Sequence, residues 1–341
     1  MKYVLHIGMP KTGTTSLQHA FLDHQEALRR HGVIYPNTGI SKNSVLGSAR
    51  HYDLMQVLTG SDPERIGMSE DWAEKFRAEI AGAEICVVSS ESFYRIPNPE
   101  VFLSLFPRDR TLVVIYLREP VTHTVSRFAN RIRWKNLTAN LLDFAKQVHW
   151  SNLDIVDRWS RVFGQGNVAL RLYDRDALLD RDIVTDFANL VRPGLEDAFT
   201  NREYGFSPTI AGNLLYVKSV LNFFITSDES ISVEKEVTKI SKMDPDFQGA
   251  LPVDRETVNK IANMHRTDCE ELGKRFGLLI EPRSEPIEGP AFPDRCKLAH
   301  DFMRIQAEAC ANGGNLASFL ERMAAIFFNG SIPPPPLSPF P

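Results

Sequence analysis

The first sixteen residues constrain this chain more than any other stretch. Residues 3–7, YVLHI, are a short β-favouring run that stops at Gly8, and from 14 to about 30 the apolar residues Leu17, Ala20, Phe21 and Leu28 recur at near-helical spacing. A strand therefore passes through a tight, Gly- and Thr-rich turn into a helix. Two later runs, 85–88 and 111–117, are rich in Val, Ile and Leu without polar alternation, the pattern of parallel strands covered on both faces. Spacing predicts helices near 70–82, 121–134, 139–148, 151–163 and 177–191 and a strand at 168–172. Alternating strands and helices predict an α/β fold, a doubly wound and mainly parallel sheet with ligands at the carboxyl ends of its strands.

From about 209 the pattern turns helical, with candidates at 209–225, 254–275, 294–310 and 315–328. Proline marks a linker at 282–293 and the tail SIPPPPLSPFP, where it excludes regular hydrogen bonding. The expected organisation is an α/β core at 1–205, a helical lid or appendage at 206–330 and a Pro-rich tail at 331–341.

At 341 residues, 43% hydrophobic and 24% charged, the chain can bury a large core without disulfides or metal. A net charge of -4 argues against a surface built for nucleic acid, so any anion site must be local. Cys86, Cys269, Cys296 and Cys310 are widely spaced and form no CxxC pair, which points away from a zinc cluster and toward a reducing compartment. No export signal and no apolar run of about 18 residues is visible, so a soluble, cytoplasmic protein is expected.

The turn after the first strand reads Gly8-Met9-Pro10-Lys11-Thr12-Gly13-Thr14-Thr15-Ser16. A helix N-terminus offers unsatisfied N–H donors and partial positive charge, Gly13 permits close backbone approach, and the hydroxyls of Thr12, Thr14, Thr15 and Ser16 add donors. Lys11 supplies a full charge. The nucleoside-triphosphate version, GxxxxGK[ST], has lysine directly after its second glycine. Here Thr14 stands there instead, and the apolar runs end in Ser89-Ser90-Glu91 and Arg118-Glu119 rather than in an acidic metal-holding pattern. A magnesium-dependent kinase or nucleotidase is disfavoured.

The string Pro10-Lys11-Thr12-Gly13-Thr14-Thr15-Ser16 resembles the PK[ST]GTT[ST] motif of sulfotransferases. In that family the loop binds the 5′-phosphosulfate of 3′-phosphoadenosine 5′-phosphosulfate (PAPS), and the resemblance gives Lys11 the further role of steadying charge on the bridging oxygen. A second stretch, Arg118-Glu119-Pro120 followed by Ser126, is similar to the family's 3′-phosphate motif R-x-P-x-x-x-x-x-S. Pro120 suits the first turn of a helix, and Ser126 falls about two turns on. The resemblance implies PAPS as co-substrate, 3′-phosphoadenosine 5′-phosphate (PAP) as product, no metal, and a P-loop-like phosphate-binding loop.

Sulfuryl transfer needs one base for the acceptor's proton and cations for the leaving phosphate; the rest is positioning. Glu91, following the 85–88 run, projects from a strand's carboxyl end and is the first candidate base, as a glutamate is in heparan-type members of the family. His51 is the rival, since histidine serves in the small-molecule branch, whereas His123, in the first turn of the Arg118 helix, reads as a packing residue. Arg127, Arg131, Arg133 and Lys135 with Phe128 and Trp134 would line an acceptor channel, or form a solvated helix face over two core aromatics. The RKGxxGDWK segment of the cytosolic branch has no match, which favours the carbohydrate-type or bacterial branch. The expected acceptor is a hydroxyl or amine, on a carbohydrate or a small molecule. Two other classes remain: a P-loop kinase using Mg-ATP, and an idle bisphosphate- or glycan-binding module, which would have no need of Lys11 or Glu91.

Overall fold

The computed structural model describes residues 1–41, 49–64, 67–148, 151–199 and 209–328. The Pro-rich tail at 331–341 lies outside them. In chain order the elements are β1 (Lys2–His6), α1 (Thr14–Asp23), α2 (Gln25–Arg30), β2 (Val33–Ile34), α3 (Tyr52–Leu58), α4 (Trp72–Ile80), β3 (Ile85–Ser89) and β4 (Thr111–Leu117). There follow α5 (Pro120–Trp134), α6 (Leu141–Gln147), α7 (Asn152–Phe163), β5 (Val168–Leu172) and α8 (Ile183–Val191). The helices α9 (Gly212–Leu221), α10 (Ser227–Ser232), α11 (Glu234–Ser241), α12 (Arg255–Phe276), α13 (Leu298–Asn312) and α14 (Asn315–Phe328) complete the series.

The five strands form one parallel sheet in the order β2-β3-β1-β4-β5, the expected α/β fold with helices beyond it. β3 and β4 flank β1, so the loop leaving β1 and the ends of β3 and β4 all open on the same sheet edge. The centre of the sheet is dry because its strands are apolar on both faces: Val4, Val87 and Val114 pack with Leu17 and Phe21 of α1 and Phe187 of α8, while β5 is half-buried along its length. The alternate residues Leu5, Val113 and Ile115 are equally buried, and α7 packs against β4 and β5.

The chain divides into two compact units, the first comprising 1–119, 151–206 and 268–281, the second 120–150, 207–267 and 282–341. The sheet lies wholly in the first. The second is a helical body around Val125 and Phe128 of α5, Leu215 and Leu221 of α9, Val237 of α11, Ile261 of α12, Ile305 of α13 and Leu320 of α14. Inside it the Arg133 guanidinium pairs with Glu234 and also donates to Thr238 Oγ1 at 2.6 Å, both ionic side chains being nearly free of solvent. Arg133 is therefore neither a channel wall nor part of a solvated face, the two places the sequence suggested for it. Lys218 is buried as well, its ammonium donating to the Ile132 carbonyl at 3.0 Å, to Ser230 Oγ at 2.8 Å and to Asn222 Oδ1. No described helix is long and apolar enough to cross a membrane.

Several boundaries differ from expectation for local reasons. The helix expected from 14 to 30 breaks at His24, whose backbone leaves helical geometry at φ -110° and ψ 22°. The helix expected from 177 begins only at Ile183, because Asp182 caps it, accepting the Thr185 N–H at 2.8 Å, and Asp180 just before is left-handed at φ 52°.

Candidate active site

The loop after β1 stays aligned with the sheet before it turns. Ile7 and Met9 donate backbone N–H bonds to Val114 and Tyr116, and Tyr116 donates back to Gly8. Gly8 then turns at φ 111°, Lys11 at φ 68° and Gly13 at φ 72°. Left-handed backbone of this kind favours glycine, and at Lys11 it is imposed on a residue with a side chain. Thr12 is fully buried and its hydroxyl donates to the Met9 carbonyl at 2.6 Å. A hydroxyl has one proton, so Thr12 closes the loop on itself and can serve a ligand through its backbone amide.

Gly13 is the N-cap of α1, and no side chain caps that helix. The first-turn amides of Thr14, Thr15 and Ser16 therefore present the donors and positive helix end that an anion requires. Thr14 is buried, Thr15 exposed and Ser16 half-buried. A Cβ on Gly13 would meet Ile183 Cγ2 at 3.0 Å and Tyr173 Cε2 at 3.1 Å, so this turn is tight because α8 and the tip of β5 press on it.

Arg118 leaves the end of β4 and donates from Nη1 to the Lys11 carbonyl at 3.2 Å, joining residues 107 apart in sequence. Its guanidinium also lies 6.0 Å from the centre of the Tyr173 ring. Burial lowers its pKa from the usual arginine value, the mark of a cation held where solvent screening is weak. Ser126 sits half-buried two turns into α5, in the second unit, and His123 is buried on the same helix.

Glu91 follows β3 and comes against the loop directly: a Cβ on Gly8 would lie 3.2 Å from Glu91 Cα. Its Oε1 accepts from Arg50 Nη1 at 2.6 Å and its Oε2 from Gln18 Nε2 at 3.0 Å. His51, the rival base, is buried and spent on structure. Its Nδ1 accepts the Ser89 N–H at 3.2 Å, which leaves Nε2 to donate to the Pro36 carbonyl at 2.8 Å. Burial pulls its pKa down to about 4, so the ring is neutral at ordinary pH and both nitrogens are engaged.

The first unit thus brings together Lys11, the α1 amides, Arg118 and Glu91. Sequence reading missed Gln18, Arg50, Ser89 and Tyr173, which hold these groups. One signal was available: Gln18 stands beside Leu17 and three residues before Phe21, on the apolar side of its helix, an unusual place for an amide.

No protein-family model and no curated protein matches the sequence. Among solved structures, the fold is similar to a sulfotransferase from Alicyclobacillus acidocaldarius, at 15% identity and a TM-score of 0.40, over 68% of this chain and 95% of that one. It is also similar to the sulfotransferase domain from the curacin biosynthetic pathway, at 14% and 0.31, over 78% and 97%. Retinol dehydratase in complex with androsterone and PAP matches at 13% and 0.28, over 76% and 68%. At these identities and scores the likenesses carry no argument, and the reading of function rests on the site.

Proposed function

We propose that the protein is a PAPS-dependent sulfotransferase acting on a hydroxyl or amine acceptor, with a carbohydrate as the preferred class. The observation that carries the reading is the bond from Arg118 to the Lys11 carbonyl, because it unites two anion-binding motifs that the sequence keeps far apart. A donor with phosphate at both ends needs two such groups.

In this reading the loop amides from Thr12 to Ser16 and the Lys11 ammonium hold the 5′-phosphosulfate, and Arg118 holds the 3′-phosphate. A bond forms from sulfur to the acceptor's oxygen or nitrogen while the S–O bond to the phosphate breaks. The acceptor's proton passes to Glu91, and the charge left on the phosphate oxygen is met by Lys11. His51 is set aside as base because its nitrogens are committed to Ser89 and Pro36.

Calorimetric titration with PAP, beside Mg-ATP, on wild type and Arg118→Ala tests this. Tight metal-free binding of PAP, weakened in the variant and unmatched by Mg-ATP, is expected. A preference for Mg-ATP would replace the reading with a P-loop kinase.

A further inference from the structure

Gln18 is buried in the second turn of α1, with Nε2 3.0 Å from Glu91 Oε2 and 3.2 Å from Ser89 Oγ. An amide nitrogen has two protons, and both find an acceptor here. Turning the amide over would set its oxygen against a carboxylate, so the charge on Glu91 fixes the orientation of Gln18, and the buried amide fixes Oε2 in return. Ser89 Oγ is itself 2.7 Å from His6 Nδ1, so this row of polar groups ties β1, β3 and α1 together. Burial drops His6 to about 4, which keeps that end of the row neutral. Arg50 reaches the other carboxylate oxygen at 2.6 Å from a side chain that is 35% exposed.

We infer that Gln18 is a positioning residue, holding the Glu91 carboxylate at a fixed place relative to the anion loop, so that donor binding and base orientation belong to one helix. The inference rests on the reading of Glu91 as base and of the loop as donor site. A neutral amide suits this task better than a second cation. It aligns the carboxylate through directional bonds without setting a full positive charge against the proton that the carboxylate must accept.

The test follows PAP formed from PAPS, with water and a mixed pool of heparan-type oligosaccharides as acceptors, and PAP binding by calorimetry. Gln18→Met keeps the side chain's length and removes both protons. It is expected to lower kcat by about 10- to 100-fold, as misplacement of a reacting group does, with KM for PAPS and Kd for PAP unchanged. The double variant Gln18→Met/Glu91→Gln is expected to fall no further than Glu91→Gln alone, the behaviour of residues that act as one unit.

Wild-type kcat in Gln18→Met, or a loss wholly in KM and PAP affinity, overturns the inference and leaves the donor reading standing. Wild-type turnover in Glu91→Gln overturns the base assignment and the inference with it. If the wild type binds PAP and forms none from PAPS, thermal unfolding of the same four proteins decides: coupling between the two substitutions sustains the brace, and strict additivity sinks it.

Discussion

The two units treat their charged side chains in opposite ways. In the first, Lys11, Arg118, Arg50 and Glu91 are half-buried at one edge of the sheet, held by backbone carbonyls, an amide and one another. In the second, Arg133, Glu234 and Lys218 are sunk in a helical core and satisfied by neighbours within it. Buried charges of the second kind fix how helices pack and have no surface to offer a ligand. Charges at a sheet edge are partly desolvated, which strengthens their attraction for an anion, and still reachable. Burial, more than charge itself, separates a structural ion from a functional one.

The largest effect expected from breaking this contrast lies in the second unit. Glu234→Ala strands the Arg133 guanidinium in the core and should cost about 3–5 kcal/mol in urea unfolding, with PAP affinity unchanged in whatever protein remains folded. In the first unit, Lys11→Ala should leave the melting temperature unchanged and cut turnover about 100- to 1,000-fold, the loss typical of removing one group that meets developing charge. An equal loss of stability in Lys11→Ala would erase the distinction.

The pH dependence sharpens it further. His51 titrates at about 4 in the folded chain and near 6.5 when unfolded, so between these values mainly the unfolded state holds the proton. Stability should be flat above about 6.5 and fall toward pH 4, by roughly 3 kcal/mol for this residue, and His51→Gln should flatten the slope. A turnover profile that followed His51 instead would return it to the chemistry. The smallest effect is on binding: Arg118→Ala should lose about 1.5–3 kcal/mol of PAP affinity, one charge-assisted contact.

The strands were legible because a parallel sheet buried on both faces leaves continuous apolar runs, as at 85–88 and 111–117. β2, only Val33–Ile34, is too short to leave one. The helices α10 and α11 escaped because their residues, SDESIS and EKEVTKIS, are mostly polar, and in α11 only Val237 and Ile240 meet the core. In the site, the loop and Arg118 were visible as ordered strings of residues. The Gln18–Glu91–Arg50 cluster was not, since its members lie 73 and 41 positions apart and share no local pattern. Geometry made by folding has no periodicity to read.

The gap at Gly8 is narrower than one methyl group. With φ at 111° and a Cβ position 3.2 Å from Glu91 Cα, the anion loop meets the residue that carries the carboxylate backbone to backbone. On this side the site has no slack. Drift in the surrounding side chains leaves that backbone spacing alone, while the carboxylate beyond it still depends on Gln18. This wall is a fixed reference face for whatever is held against it.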